Sequence, residues 1–217
     1  LLVTLTAVAT SMAVFRAHFG NLTDFAVTVP GQLTVLDLGL MTLLGALCGL
    51  LGAAYNRSIV SGLNLFARAP GMPPEAKAAV VGAMTGLIAW WRPEWIGGGE
   101  HHVQAIFSGE ITFSALLVLL AARWVLGPMS YAPGVPGGLF APLLLIGAGM
   151  GAAMAMALEP LTAASFNSTA FAMIGMAAFF AGVVRAPFTG ILLAVEMTGN
   201  VTLMVPLLLA SVAAVAV

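Results

Sequence analysis

Gly134-Val-Pro-Gly-Gly-Leu-Phe-Ala-Pro-Leu-Leu-Leu-Ile-Gly-Ala-Gly-Met-Gly151 sets a glycine-proline turn directly against an uncharged apolar segment. Pro142 is tolerated in the first helical turn, and the glycines ahead of it allow the chain to bend and leave room beside the backbone. A helix that starts here presents first-turn N–H groups with no partner inside the helix, together with the positive end of its dipole. Such a start can hold an anion without any charged side chain. The free N–H groups of Leu139 and Phe140 would point into the space before the helix. Physics alone leaves a second reading open, in which Gly137 and Gly138 cap an ordinary helix and serve packing.

Working outward, the surroundings of that turn are those of a membrane protein. Of the 217 residues 61% are hydrophobic and 7% are charged; a soluble domain carries about 25% charged residues. Mean hydropathy is +1.08. Between Arg123 and Arg185 the only ionisable acid or base is Glu159. So few charges cannot cover a water-facing surface, and most side chains must face lipid or other helices. At ~20 residues per span plus loops, the length predicts roughly six to eight membrane segments. The net charge of −1 offers no basic face for nucleic acid. The single cysteine, Cys48, excludes an internal disulfide and reads as a small hydrophobe. Residue 1 is Leu, and the chain opens and closes inside hydrophobic runs with no signal-peptide pattern, so an internal stretch of a longer protein is expected.

The punctuation predicts an all-α chain of tilted and broken helices. Leu1 to about Arg16 reads as the end of a membrane helix, and His18–Gln32 as a polar re-entry loop. Thr34 to about Arg68 is one long helix whose Gly45, Gly49 and Gly52 fall along one side, where another backbone can approach. Pro70–Pro74 is a break, and Ala76–Trp91 is a helix ending in Trp90, Trp91 and Arg92, an interfacial belt. Gly97–Gly99 precede a short segment, His101–Ser108. A helix over Ile111–Leu126 is expected to stop at Gly127-Pro128, with Arg123 and Trp124 as an interfacial anchor. The helix after the turn is expected to end at Glu159-Pro160, followed by a polar loop at Ser165–Thr169 and by helices over Thr169–Val183, Pro187–Thr198 and Val201–Val217. Short segments interrupted by glycine and proline point to broken helices around a binding site.

A second block, Met176-Ala-Ala-Phe-Phe-Ala-Gly-Val-Val-Arg-Ala-Pro-Phe-Thr-Gly-Ile-Leu-Leu-Ala-Val-Glu-Met-Thr-Gly-Asn200, makes the reading specific. Together with Gly-Gly-Leu-Phe-Ala-Pro (137–142), in this order and spacing, the chain resembles the CLC chloride channels and chloride/proton antiporters, whose signature is GGxFxP. The resemblance runs over essentially the whole chain. It implies that the backbone amides of Leu139 and Phe140 coordinate the central chloride and that Gly137 and Gly138 shape that turn. It also implies a partial CLC-type transmembrane domain over 1–217: one helix of a first repeat plus most of an inverted second repeat. The family's GSGIP segment, its gating glutamate, its internal proton-path glutamate and its late tyrosine have no counterpart in this chain.

The expected function is movement of chloride across a membrane by a member of the voltage-gated-type chloride channel and transporter family. The short loops favour chloride/proton exchange, with a passive chloride channel as the alternative. A fluoride-selective relative would carry a different helix-start motif. The resemblance further implies a homodimer, in which the first helix and the last two face the partner, lodged in the lipid bilayer of a bacterial inner membrane. It implies no cofactor, chloride itself being the transported ligand.

Other chemistry fits less well. Arg185 and Glu196 are intramembrane charges, but Pro187 separates them, and structural roles are expected: Arg185 in a loop before a helix start, Glu196 capping or orienting backbone. Glu100-His101-His102 lacks the spacing or cysteine partner of a metal site. An intramembrane hydrolase needs a positioned nucleophile, and Ser61-Gly62 and Ser108-Gly109 occur without a Gly-x-Ser-Gly motif. A helical scaffold leaves the turn unexplained.

Overall fold

The computed structural model describes residues 2–20, 25, 27, 34–68, 73–135, 137–162 and 166–217. The re-entry loop at His18–Gln32, the break at Pro70–Met72 and the start of the loop at Ser165 lie largely outside the described residues. Among those described, the fold is all-α: α1 Leu2–Phe19, α2 Val35–Ala67, α3 Pro74–Trp91, a 3-10 turn Pro93–Trp95, α4 Glu100–Phe107, α5 Phe113–Tyr131, α6 Phe140–Thr162, α7 Ser168–Val184, α8 Pro187–Thr198 and α9 Met204–Ala216.

The element ends follow local chemistry. Thr34 and Asp37 close a reciprocal capping box on α2: the Thr34 amide donates to Asp37 Oδ2 at 2.8 Å, and the Asp37 amide to Thr34 Oγ1 at 3.3 Å. The far end of α2 is met by Lys77 of α3, whose Nζ donates to the Phe66 carbonyl, a cation on the negative end of the dipole. Asn167 accepts from the Ala170 amide at 3.0 Å and starts α7.

α7 is the central helix. Every residue from Ala170 to Val183 is buried, and it packs against α2, α6, α8 and α9. Close backbone approach makes this possible. A Cβ on Gly151 would strike the Phe171 carbonyl of α7, and one on Gly175 would strike the Gly147 carbonyl of α6. The predicted glycine side of α2 is used in the same way, with Gly45 and Gly49 against Ala210 and Ala214 of α9 and Gly52 against α7.

Four of these helices are long and apolar enough to cross a membrane: Leu2–Phe19, Val35–Ala67, Phe113–Tyr131 and Phe140–Pro160. The expected six to eight spans are therefore fewer by this measure. Three further apolar helices, α7, α8 and α9, are shorter. α7 is apolar as well, but its side chains are covered by other helices. α1 buries none of its side chains within the described residues, and Trp90 and Trp91 stay 84% and 79% exposed.

Two predicted helix ends are corrected. α5 does not stop at Gly127-Pro128 but runs on to Tyr131. Gly127 serves packing instead, because a Cβ there would collide with the Tyr55 hydroxyl of α2. α6 likewise passes Glu159-Pro160 and ends at Thr162.

Candidate functional site

The turn between α5 and α6 opens onto a cavity of about 420 Å³. Its wall includes Gly138, Leu139 and Phe140 from the start of α6, Gly97 from the loop before α4, and Arg123 and Tyr131 from α5. The Leu143 amide donates to the Leu139 carbonyl at 3.1 Å, which makes Leu139 the residue that opens the helix and Phe140 its first helical position. Amides at these positions have no partner within the helix. Leu139 and Phe140 line the cavity.

The glycines of the turn differ in their surroundings. A left-handed bend falls at Gly134, with φ 77°. The Gly137 carbonyl accepts from the Tyr131 hydroxyl, which fastens the turn to the end of α5. A Cβ on Gly138 would meet nothing within 4 Å, so this glycine keeps the cavity open. The Phe140 ring packs edge-on to Phe180 of α7, centroids 5.8 Å apart.

Arg123 and Trp124 are not an interfacial anchor. Arg123 is only 5% exposed, and its Nη1 donates to the Gly97 carbonyl at 2.6 Å. Trp124 packs against Tyr55 and Phe179, with ring centroids at 5.3 and 6.2 Å. The glycine loop makes this burial possible. Gly97 and Gly99 adopt φ of 79° and 82°, and a Cβ on Gly99 would lie 2.9 Å from Arg123 Nη2. A Cβ on Gly98 would lie 3.0 Å from Ala141 in the first turn of α6. The three glycines thus bring one loop against both Arg123 and the helix start. One sequence signal pointed to this arginine: it is the only Lys or Arg between Arg92 and Arg185.

The remaining candidates lie elsewhere. Arg185 terminates α7 in a left-handed conformation, φ 61°, and its Nη1 donates to the Val215 carbonyl of α9 at 2.8 Å, the structural role expected. Glu196 is exposed on α8 and makes no side-chain hydrogen bond among the described residues, so the backbone-orienting role expected of it is not found. His101 and His102 face each other, Nδ1 to Nδ1 at 3.1 Å. Among the described residues no third His, Cys, Asp or Glu joins them in a metal-sized cluster. Burial is the main cause that pushes the His102 imidazole below its ordinary pKa, with His101 and Arg123 adding to it.

Comparison with known proteins places the chain in a family. A family model described as voltage gated chloride channel matches residues 1–217. The H(+)/Cl(-) exchange transporter ClcA of Cronobacter sakazakii is 36% identical over 215 residues, covering 94% of this chain and 44% of that protein. The protein of the same name from Vibrio cholerae serotype O1 is 35% identical over 219 residues, covering 98% and 46%. A slow cyanobacterial Cl-/H+ antiporter of known crystal structure superposes with a TM-score of 0.85 at 30% identity, over 94% of this chain and 48% of the other. The chain spans about half the length of the curated relatives it matches. It is an integral membrane protein and belongs to the voltage gated chloride channel, or CLC, family.

Proposed function

We propose that the full-length protein exchanges chloride for protons across a membrane, with chloride held at the start of α6 by the amides of Leu139 and Phe140. The observation that carries this reading is that Gly138, Leu139 and Phe140, at the start of α6, line one cavity. Backbone donors suit a transported anion, because they bind without the deep trap that a direct lysine or arginine clamp would create. The names of the relatives, H(+)/Cl(-) exchange transporters, support exchange over a passive chloride channel. Residues 1–217 then form part of the CLC transmembrane domain, one helix of the first repeat with most of the second. The protein works as a homodimer in the bilayer, the inner membrane in a bacterium.

Phe140 permits a clean test in full-length protein reconstituted in liposomes. It occupies the first helical position, where proline is well accommodated, so Phe140→Pro removes the N–H while keeping the helix start. Phe140→Ala keeps the N–H and removes the ring from Phe180. A hydrogen bond to an ion is worth about 1.5–3 kcal/mol, so F140P should lower chloride flux about tenfold or more relative to F140A. Equal flux in the two folded variants would remove these amides from the path. Chloride efflux with no coupled proton movement in the unaltered protein would select the channel.

A further inference from the structure

We infer that Tyr131 is a positioning residue of the anion site: its hydroxyl holds the Gly137–Gly138 peptide in one orientation, and that orientation sets how the start of α6 meets a chloride. This rests on the proposed chloride site at Leu139 and Phe140 and adds the side chain that keeps its approach in shape.

Three observations carry the inference. The Tyr131 hydroxyl donates to the Gly137 carbonyl, so a side chain on α5 grips the peptide that runs directly into Leu139. Turning a peptide over requires rotation at ψ of the residue before it and φ of the residue after it. Here both residues are glycines, which have the widest backbone freedom. And their surroundings offer little else to stop the rotation. Both glycines are exposed. A Cβ on Gly138 would meet nothing within 4 Å among the described residues, and one on Gly137 would meet Tyr131 Cε2 at 3.7 Å.

Tyr131 holds the turn at two points: its carbonyl accepts from the Gly134 amide at 2.9 Å, and its hydroxyl reaches the Gly137 carbonyl. Its partly buried ring packs against the core and lines the cavity with Gly138, Leu139 and Phe140. A trans peptide carries its C=O and N–H on opposite sides, so gripping the Gly137 oxygen also fixes the Gly138 N–H. Released, the unit can turn over and reverse a dipole of about 3.5 D one residue ahead of Leu139. An anion held by backbone dipoles responds directly to the reversal of one of them. The hydroxyl has one proton, spent on the Gly137 carbonyl, so it positions the site and does not itself hold the ion. α5 restrains a second glycine–glycine unit in the same manner, through Arg123 Nη1 on the Gly97 carbonyl at 2.6 Å.

The test uses the full-length protein in two ways. Chloride titration by calorimetry compares the unaltered protein with Tyr131→Phe, which removes the hydroxyl and keeps the ring. Y131F should weaken chloride binding about three- to tenfold, the scale of one hydrogen bond between neutral groups. Unchanged or tighter binding, whether or not the melting temperature falls, leaves Tyr131 a merely structural residue and overturns the inference. Crystals of the unaltered protein soaked in bromide test the geometry even if Y131F does not fold. The expected result is anomalous density at the Leu139 and Phe140 amides, with the Gly137 oxygen on the Tyr131 hydroxyl. Density at the amides with that oxygen turned away from the hydroxyl, or bromide seated on the hydroxyl as well, overturns the positioning role and leaves the amide site standing. No density at the amides removes the amide site and the inference with it.

Discussion

Glycine appears both just ahead of α6 and along its interior, and the two sets do opposite work. At Gly138 a side chain would enter open space; at Gly147 and Gly151 it would drive into the backbone of α7. The first keeps a cavity clear, and the second lets two helices touch backbone to backbone. In sequence the two sets are separated by only one apolar run, Leu139–Ile146. What distinguishes them is what a Cβ would meet, so function at one end of α6 and stability at its middle should be separable by substitution.

The largest effect should come from the seam. Gly151→Leu places a branched side chain where the Phe171 carbonyl already stands, and neither backbone can withdraw without unseating the buried α7. Overpacking of this kind costs about 1–3 kcal/mol or more, and full-length G151L should elute as aggregate or melt far below the unaltered protein. Normal elution and melting would mean that the α6–α7 contact is looser than the structure shows. At Gly138 the balance reverses. Gly138→Val should leave stability within about 0.5 kcal/mol, as at other open positions, while reducing chloride flux in liposomes. A stable G138V protein with full flux would separate the cavity from the anion path.

A polar orphan next to the seam gives a smaller effect of opposite sign. Tyr55 is fully buried among Trp124 and Phe179, and its hydroxyl has no hydrogen-bond partner. Removing an unsatisfied buried group avoids a desolvation penalty of about 1–3 kcal/mol, so Tyr55→Phe should raise the melting temperature of the full-length protein. A lower melting temperature would reveal a partner for that hydroxyl, supplied by water or by chain beyond these residues.

These contrasts also mark how far the sequence could be read. The start of α6, the bounds of α8 and the long α2 follow from proline, glycine and cap residues, which act locally; the Thr34–Asp37 box is visible in the residues themselves. The glycine side of α2 was legible for the same reason, since its period is that of a helix. Burial of α7 was not, because hydropathy scores a side chain the same whether lipid or another helix covers it. Arg123 was misread for a related reason. An arginine beside a tryptophan late in an apolar helix matches an interfacial anchor, and only the approach of the Gly97–Gly99 loop turns it inward. Gly127-Pro128 misled in turn, since its glycine answers to Tyr55 on a distant helix.

The smallest effect concerns pH on α4, the helix that follows the Gly97–Gly99 loop. His102 belongs to α4, outside the four membrane-length helices, and meets His101 through their Nδ1 atoms. That contact needs one nitrogen to donate and the other to accept, so it fails when both rings are doubly protonated. Burial, the charge of His101 and the charge of Arg123 all favour the neutral form of His102; Glu94 opposes them. The folded state therefore binds this proton less readily than the unfolded chain, whose histidines titrate near 6.5. Where the unfolded state holds more protons, stability rises with pH. The contribution is present above about pH 6.5 and is lost as pH falls toward the lower folded value, by at most about 1.4 kcal/mol per pH unit. Melting of full-length protein should drop between pH 7.5 and 5.5, and His102→Asn should flatten part of that drop. An H102N profile parallel to the unaltered one would place the acid sensitivity on other groups and leave His102 a packing residue beside the glycine loop.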